Sequence, residues 1–322
     1  MVFKILPITA DASFRTFYRL VLNKNSKIFV ITKKEKYKNL IAYSAINNFL
    51  ISNKILAPRT FQHNFKKGIM TIEDFGKQSF YNVIISKKNK FSEYKKLIDL
   101  LIKIQKIKPR TKIKSLTSQA HLIHEYSNKY LHKESDLFFD WYLPIFYSKK
   151  KSLIIKKKIK KILQKLYKKL YFPNSCFVHR DYHLQNLMKF KKKIGLIDNQ
   201  DALIGNPAYD LASLIDDVRI KTSNKLKNQM YDYYLSKTFK QSRIKSEKFL
   251  NDFNILSVQR SLKILGIFSR LYKRDRKSRY LKFMPYTWKL LDMRMKPKIF
   301  TELRMALKND IPKTLRNKKI NK

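Results

Sequence analysis

Residues 176–201 read CFVHRDYHLQNLMKFKKKIGLIDNQD, and this stretch decides the fold. Ser175 to Val178 is a short β-like run that delivers the chain to His179-Arg180-Asp181, with Asn186 five residues after the aspartate. Leu187 to Phe190 and Ile194 to Ile197 flank the Lys191 to Lys193 turn, a pattern that predicts a β-hairpin. A hairpin of that length returns the chain on itself, so Asn186 at its start and Asp198 at its end are expected side by side. Two oxygen-bearing side chains so placed suit Mg²⁺, a hard cation that takes oxygen donors and keeps few protein ligands beside phosphates. Asp181, at the tip of the preceding loop, is then placed to receive a proton from an attacking hydroxyl.

Working outward, the charge pattern singles out the same region. The 322-residue chain carries 72 Lys and Arg against 23 Asp and Glu, a formal net charge of +49. Such an excess invites a nucleic-acid reading, because Lys and Arg neutralise phosphates. Yet 57 of the basic residues are lysine, and Lys, Ile and Asn, all abundant here, share A/T-rich codons. Arginine, which bidentate phosphate contacts prefer, is the minority. The excess therefore reads as compositional drift over solvated faces, and no specific nucleic-acid partner is expected. Between His179 and Asp217, by contrast, six of the 23 acids fall within 39 residues that hold five basic ones. Carboxylates kept in a chain drifting toward lysine point to chemistry.

Several function classes drop out. The five glycines stand at 68, 76, 195, 205 and 266, so neither G-x-G-x-x-G nor G-x-x-x-x-G-K occurs. The single cysteine, Cys176, can form no internal disulfide and reads as a small buried strand residue. No run of 18 apolar residues appears, and Met1 to Ala10 lacks the basic start and apolar core of a signal peptide. A cytoplasmic protein with no membrane association is expected. At 44% hydrophobic and 13% aromatic residues the chain can build cores.

Before position 76 the pattern is mixed. Phe17 to Leu22 and Lys27 to Thr32 read as a hairpin around Asn23 to Ser26; Glu35 to Ser52 has helical spacing, ended by Ala57-Pro58. Gly68 to Ile72 reads as a further strand, and Glu73 to Gly76 as a turn. After Gly76 the apolar spacing becomes helical, in Tyr94 to Ile107, His121 to Leu131 and Leu137 to Phe146. Leu153 to Leu170 sets Ile155, Ile159, Ile162, Leu163 and Leu166 on one face of a lysine-rich helix, expected to dock on a core rather than on a membrane. The tail from Lys313 is polar and expected to fray.

Together the blocks Asp11 to Arg15, Ile72 to Gly76, Phe138 to Leu143, Phe177 to Met188, Leu196 to Leu214 and Gly266 to Leu271 resemble the aminoglycoside phosphotransferase and choline kinase-like superfamily, relatives of the protein kinases. Within it the likeness is nearest to bacterial sugar kinases of cell-wall recycling that phosphorylate the anomeric hydroxyl of N-acetylmuramate and N-acetylglucosamine. The likeness runs from about residue 9 to 285. It implies that Asp181 is the catalytic base and that Asn186 and Asp198 are Mg²⁺ ligands. It implies that Asp210 braces the catalytic loop from a helix start, that Ser13, Phe14 and Arg15 cover the ATP phosphates, and that Glu73 and Asp74 lie in the hinge meeting adenine. His179 is read as a residue that packs and hydrogen-bonds within its loop. Asp201, His183 and Trp141 are candidate substrate contacts; for His183 simple exposure, and for Trp141 and Tyr142 core packing, are the alternatives. Three positions depart from the pattern. Asn199 stands where the relatives usually carry Phe, the strand lysine of protein kinases has no clear counterpart beyond Lys33 or Lys34, and Arg276 replaces a common glycine.

The expectation is an α+β, protein-kinase-like fold, with residues 1–76 as a nucleotide-binding lobe and 77–322 as a helical lobe holding the catalytic loop. ATP and Mg²⁺ are the expected cofactors, a small molecule bearing a hydroxyl the expected substrate, and a monomer the expected state. The competing readings are an aminoglycoside-type or other small-molecule kinase and a non-catalytic basic module binding nucleic acid or an acidic partner.

Overall fold

Alternating burial sets the first sheet. In β5 (Ile69–Glu73) Met70 and Ile72 point inward, and in β3 (Asn25–Ile31) Ile28 and Val30 do the same. The computed structural model describes residues 3–8, 14–23, 25–239 and 242–316. It divides into two compact units, Met1–Glu125 with Cys176–Ile204, and Tyr126–Ser175 with Gly205–Lys322.

In the first unit β1 (Phe3–Ile8), β2 (Thr16–Leu22), β3, β4 (Thr60–Asn64) and β5 form an antiparallel sheet of order β1-β2-β3-β5-β4. Helix α1 (Lys38–Ser52) packs Leu40 and Tyr43 onto its inner face with Phe65. The expected β2–β3 hairpin, α1 and β5 form, and β1 and β4 are added to them. Neither added strand announces itself, because FKILPI holds a proline and TFQHN buries almost nothing. Thereafter come α2 (Phe80–Ser86), α3 (Lys90–Gln105) and the short pair β6 (Lys112–Ile113) and β7 (His121–Leu122). The helix expected over His121 to Leu131 is absent there. Ile123 donates its N–H to the Thr111 carbonyl (2.9 Å) and the His124 carbonyl accepts from Ile204 N–H (2.9 Å), so the backbone is committed laterally and the helix begins only at Asn128.

The stretch 176–204 belongs to this unit. β8 (Cys176–Val178) is buried throughout and neighbours β11 (Leu203–Gly205). β9 (Leu187–Phe190) and β10 (Lys193–Leu196) form the expected hairpin in the register Leu187↔Leu196 to Phe190↔Lys193. Its two-residue turn puts Lys191 and Lys192 at φ 45° and 62°, the primed-turn geometry that Asn-Gly usually supplies. Gly195 is required by close approach, since a Cβ there would lie 2.4 Å from the Phe75 ring.

The second unit is helical: α4 (Asn128–Leu137), α5 (Lys149–Tyr167), α6 (Ala208–Ile215), α7 (Asn224–Thr238), α8 (Arg243–Lys273), α9 (Met284–Arg294), α10 (Thr301–Asp310) and α11 (Lys313–Arg316). The 31-residue α8, about 46 Å long at 1.5 Å per residue, is its axis and packs against α4, α6 and α9. Helix α5 buries the predicted stripe of Ile155, Ile159, Ile162, Leu163 and Leu166. Phe138–Tyr142 continues α4 as a π-helical turn. Among the described residues no helix is long and apolar enough to cross a membrane.

Candidate active site

β8 ends at Val178, and the loop after it is organised by backbone and imidazole. His179 is fully buried; its Nδ1 accepts the Asp181 N–H at 3.2 Å and its Nε2 lies 3.0 Å from the Ile197 carbonyl. A carbonyl can only accept, so the ring is the neutral tautomer with the proton on Nε2, an assignment the network dictates. Next the Asn186 amide closes the loop, with Nδ2 donating to the Asp181 carbonyl at 3.0 Å, while the Asn186 carbonyl accepts the Ile197 N–H at 3.0 Å. Four bonds thus tie Asp181, Asn186 and the residue before Asp198 into one assembly. Beneath it Tyr182 is fully buried and donates to the Leu97 carbonyl of α3 at 2.7 Å.

Two residues here are non-glycines in the left-handed region: Arg180 at φ 74° and Asp198 at φ 65°, ψ 40°. Each costs of order 1–3 kcal/mol and persists where the surroundings over-determine it, which happens most often at functional sites. Arg180 Nη1 donates to the Asp201 carbonyl at 2.9 Å, bracing the loop against the 198–201 turn, and the Asp201 carboxylate accepts from Gln200 Nε2 at 2.9 Å.

Asp198 forms an ion pair with Arg15. Arg15 is 6% exposed, donates from Nη1 to Gln200 Oε1 at 3.0 Å, and lies over the rings of Phe17 (5.3 Å) and Tyr43 (5.7 Å). Burial pushes the Tyr43 phenol up to about 12, so it stands neutral beside this cation. The carboxylate side chain of Asp198 keeps 39% exposure, so one face of it remains open. That openness suits a metal. With Nδ2 of Asn186 pinned on a carbonyl, its Oδ1 is the remaining acceptor, and a carboxylate with an amide oxygen is a donor set fit for Mg²⁺. Among the described residues no three His, Cys, Asp or Glu side chains gather as ligands, so this set would rely on solvent and phosphate for its other donors.

Asp74 belongs to a separate network in the same unit. Arg19 holds it through Nε (2.5 Å to Oδ2) and Nη2 (3.0 Å to Oδ1), and Arg19 also donates to the Gly76 carbonyl. Burial by itself would raise the Asp74 pKa; Arg19, with Ser26 and the Gly76 N–H, outweighs it and holds the carboxyl below its ordinary value. Glu73 pairs with Arg59 through backbone atoms, its N–H donating to the Arg59 carbonyl at 2.9 Å.

Ser13 lies outside the described residues, Phe14 is exposed, and His183 is buried rather than exposed. Asp210 and Trp141 belong to the second unit, Asp210 fully buried in the first turn of α6 and Trp141 half-buried. Its neighbour Tyr142 is core, stacked on Phe138 at 4.9 Å and accepting from Trp288 Nε1 at 3.1 Å. Sequence reasoning missed Gln200, Arg19, Tyr43 and Asn47. A signal existed for the last two, whose spacing of four on α1 puts them on one helical face.

Comparison with known proteins identifies the family. The family model described as "phosphotransferase enzyme family" matches residues 4–244. An N-acetylmuramate/N-acetylglucosamine kinase of Pseudomonas aeruginosa is 27% identical over 292 residues, covering 90% of this chain and 83% of its own. Its namesake in Neisseria meningitidis serogroup B is 24% identical, covering 86% and 81%. Among solved structures, an ADP-bound aminoglycoside phosphotransferase aligns at a TM-score of 0.56 with 18% identity over 89% of this chain and 92% of that one. A choline kinase from Streptococcus pneumoniae aligns at 0.58 with 15% identity, over 91% and 92%. These likenesses fix the protein-kinase-like fold, and the match over three quarters of the sequence places the chain in the phosphotransferase enzyme family.

Proposed function

We propose that this protein is an ATP-dependent kinase of N-acetylated amino sugars that phosphorylates the anomeric hydroxyl of N-acetylmuramate or N-acetylglucosamine. The observation that carries the reading is the hydrogen-bonded assembly of Asp181, Asn186 and the Ile197–Asp198 turn, on a chain whose curated relatives are named N-acetylmuramate/N-acetylglucosamine kinase. Asp181 accepts the proton of the sugar hydroxyl as its oxygen attacks the γ-phosphorus. The new O–P bond forms while the bond from the γ-phosphorus to the β,γ-bridging oxygen breaks, and that electron pair leaves with ADP. Asn186 and Asp198 would hold Mg²⁺, which offsets phosphate charge when bound. Arg15 supplies a fixed positive charge beside them, preorganised by Phe17, Tyr43 and Gln200. Because the Asp74 carboxylate is committed to Arg19, the hinge meets adenine through the backbone of residues 72–76. In this reading residues 1–76 hold the nucleotide, and residues 77–322 carry the catalytic loop and the sugar site.

The test is ATP consumption across N-acetylmuramate, N-acetylglucosamine, aminoglycosides, choline and hydroxy amino acids, with the phosphorylated position assigned by NMR. Turnover is expected with the N-acetylated amino sugars and phosphate on the anomeric oxygen. Preference for an aminoglycoside or choline overturns the substrate assignment. No turnover across the whole panel favours a binding module on a kinase scaffold.

A further inference from the structure

Asn199 stands directly after Asp198. It is fully buried, and its Nδ2 donates both to Asn47 Oδ1 at 2.8 Å and to the Leu196 carbonyl at 3.0 Å. Asn47, equally buried on α1, donates from its own Nδ2 to the Pro58 carbonyl at 2.9 Å. Backbone carbonyls terminate this chain at both ends, so neither amide can be flipped without facing a carbonyl with an oxygen. Alongside it Leu196 donates its N–H to the Leu56 carbonyl at 2.8 Å, so the segment after α1 and the end of β10 are joined twice. An apolar side chain at 199 could fill space; it could not make this bond.

Asp198 sits in the left-handed region, so its backbone must be held from both sides. On the upstream side, Ile197 is held by its N–H on the Asn186 carbonyl and by its carbonyl beneath His179 Nε2. Downstream, the Asn199 carbonyl accepts the Ala202 N–H at 3.1 Å, and the Asn199 side chain anchors the turn to α1. One helical turn before Asn47, Tyr43 lies under the Arg15 guanidinium that pairs with the Asp198 carboxylate. Helix α1 contains no Asp or Glu, so it can offer no carboxylate to a cation in the manner of protein kinases. Its link to the site is an amide.

We infer that Asn47 is a positioning residue, which through the Asn47–Asn199 amide pair couples α1 to the Asp198 turn and so sets the carboxylate that would take Mg²⁺. The inference rests on the kinase reading and deepens it. Partners one step removed from a metal ligand typically change metal affinity or activity by about 10–100-fold when lost.

The decisive experiment measures ADP binding by calorimetry with and without Mg²⁺, which needs no knowledge of the sugar. In Asn47→Ala and in Asn199→Ala the strengthening of ADP binding by Mg²⁺ is expected to fall at least about tenfold. Metal-free ADP binding should be unchanged, and the double variant should be no worse than either single one. Ser44→Ala, which removes a buried hydroxyl from the same helix, should keep the full Mg²⁺ effect. Each protein is measured below its own unfolding midpoint, and Asn47→Ser with Asn199→Ser replaces any alanine variant that does not fold. A Mg²⁺ effect equal to wild type in both variants, or an equal loss in Ser44→Ala, overturns the inference. Absence of any ADP binding by the wild type overturns the kinase reading instead.

Discussion

Arg15 is a buried charge made tolerable by its partners, since a lone guanidinium in that position would cost several kcal/mol. Its importance could be read from the likeness of Asp11 to Arg15, but its partners could not. Gln200 and Tyr43 lie 185 and 28 positions away, and the fold alone brings them to it. Asp181, Asn186 and Asp198 were legible because a loop and one hairpin unite them locally. Arg276, by contrast, is a non-glycine at φ 57°, a conformation that a glycine would adopt without strain. Asp181 invites a clean test because its bonds to His179 and Asn186 use backbone atoms. Asp181→Asn keeps those backbone bonds and should still fold, while kcat falls by about 10²–10⁴ for loss of a general base. Circular dichroism melts and steady-state kinetics on one preparation check both halves, and near-normal turnover would remove Asp181 from the mechanism.

At the scale of elements, two junctions in the helical unit escape sequence reading. The first is the π-helical turn Phe138–Tyr142, which periodicity renders as plain helix. Another element packs closely where it begins: a Cβ at Gly266 of α8 would stand 2.3 Å from the Leu137 carbonyl carbon and 2.5 Å from the Phe138 nitrogen. Backbone cannot yield as a flexible side chain does, so Gly266→Ala should destabilise by about 1–3 kcal/mol, the usual range for overpacking, despite the better helix propensity of alanine. A denaturant midpoint at or above wild type would refute this. The second junction is Asp216 at the end of α6, which accepts from Lys227 of α7 (3.1 Å) and from Arg294 of α9 (2.8 and 3.0 Å). Burial would raise its pKa, but Arg294 and Lys227 prevail and hold it well below the carboxylate range. A folded-state pKa below the unfolded value of about 3.9 gives stability that is complete above that value and fades as pH falls through it toward the folded pKa. Asp216→Asn leaves the buried Lys227 and the partly buried Arg294 without their carboxylate and should cost about 3–5 kcal/mol at pH 7. The gap to wild type should begin to close below about pH 4, and unfolding midpoints at pH 7, 5 and 3 that keep a constant gap would contradict the assignment.

For the whole molecule the question is where +49 charges go. Several buried carboxylates hold a cation, as in Asp74 with Arg19 and Glu134 with Lys263 at 3.0 Å, while Asp252 is met by the N–H groups of Tyr171, Phe172 and Asn206. The surplus lies on exposed faces such as that of α5, where Lys149, Lys150 and Lys157 point to solvent. Lysines on such faces cost no desolvation, the buried Lys227 and Lys263 each face a carboxylate, and the fold stayed legible because the apolar spacing persists beside them. Charge of one sign at that density still opposes compaction, and this self-repulsion is screened over a Debye length of about 10 Å at 0.1 M salt. The melting temperature should therefore rise with NaCl between about 0.02 and 0.5 M, most of it below about 0.2 M where the Debye length shrinks fastest. Replacing Lys149, Lys150 and Lys157 with Gln removes three of the repelling charges without touching a buried contact, so it should raise the low-salt midpoint and flatten the salt response. A midpoint that falls with salt would mean that attraction between the paired charges outweighs repulsion among the rest, and the surplus would then need a structural role that solvated faces do not give it.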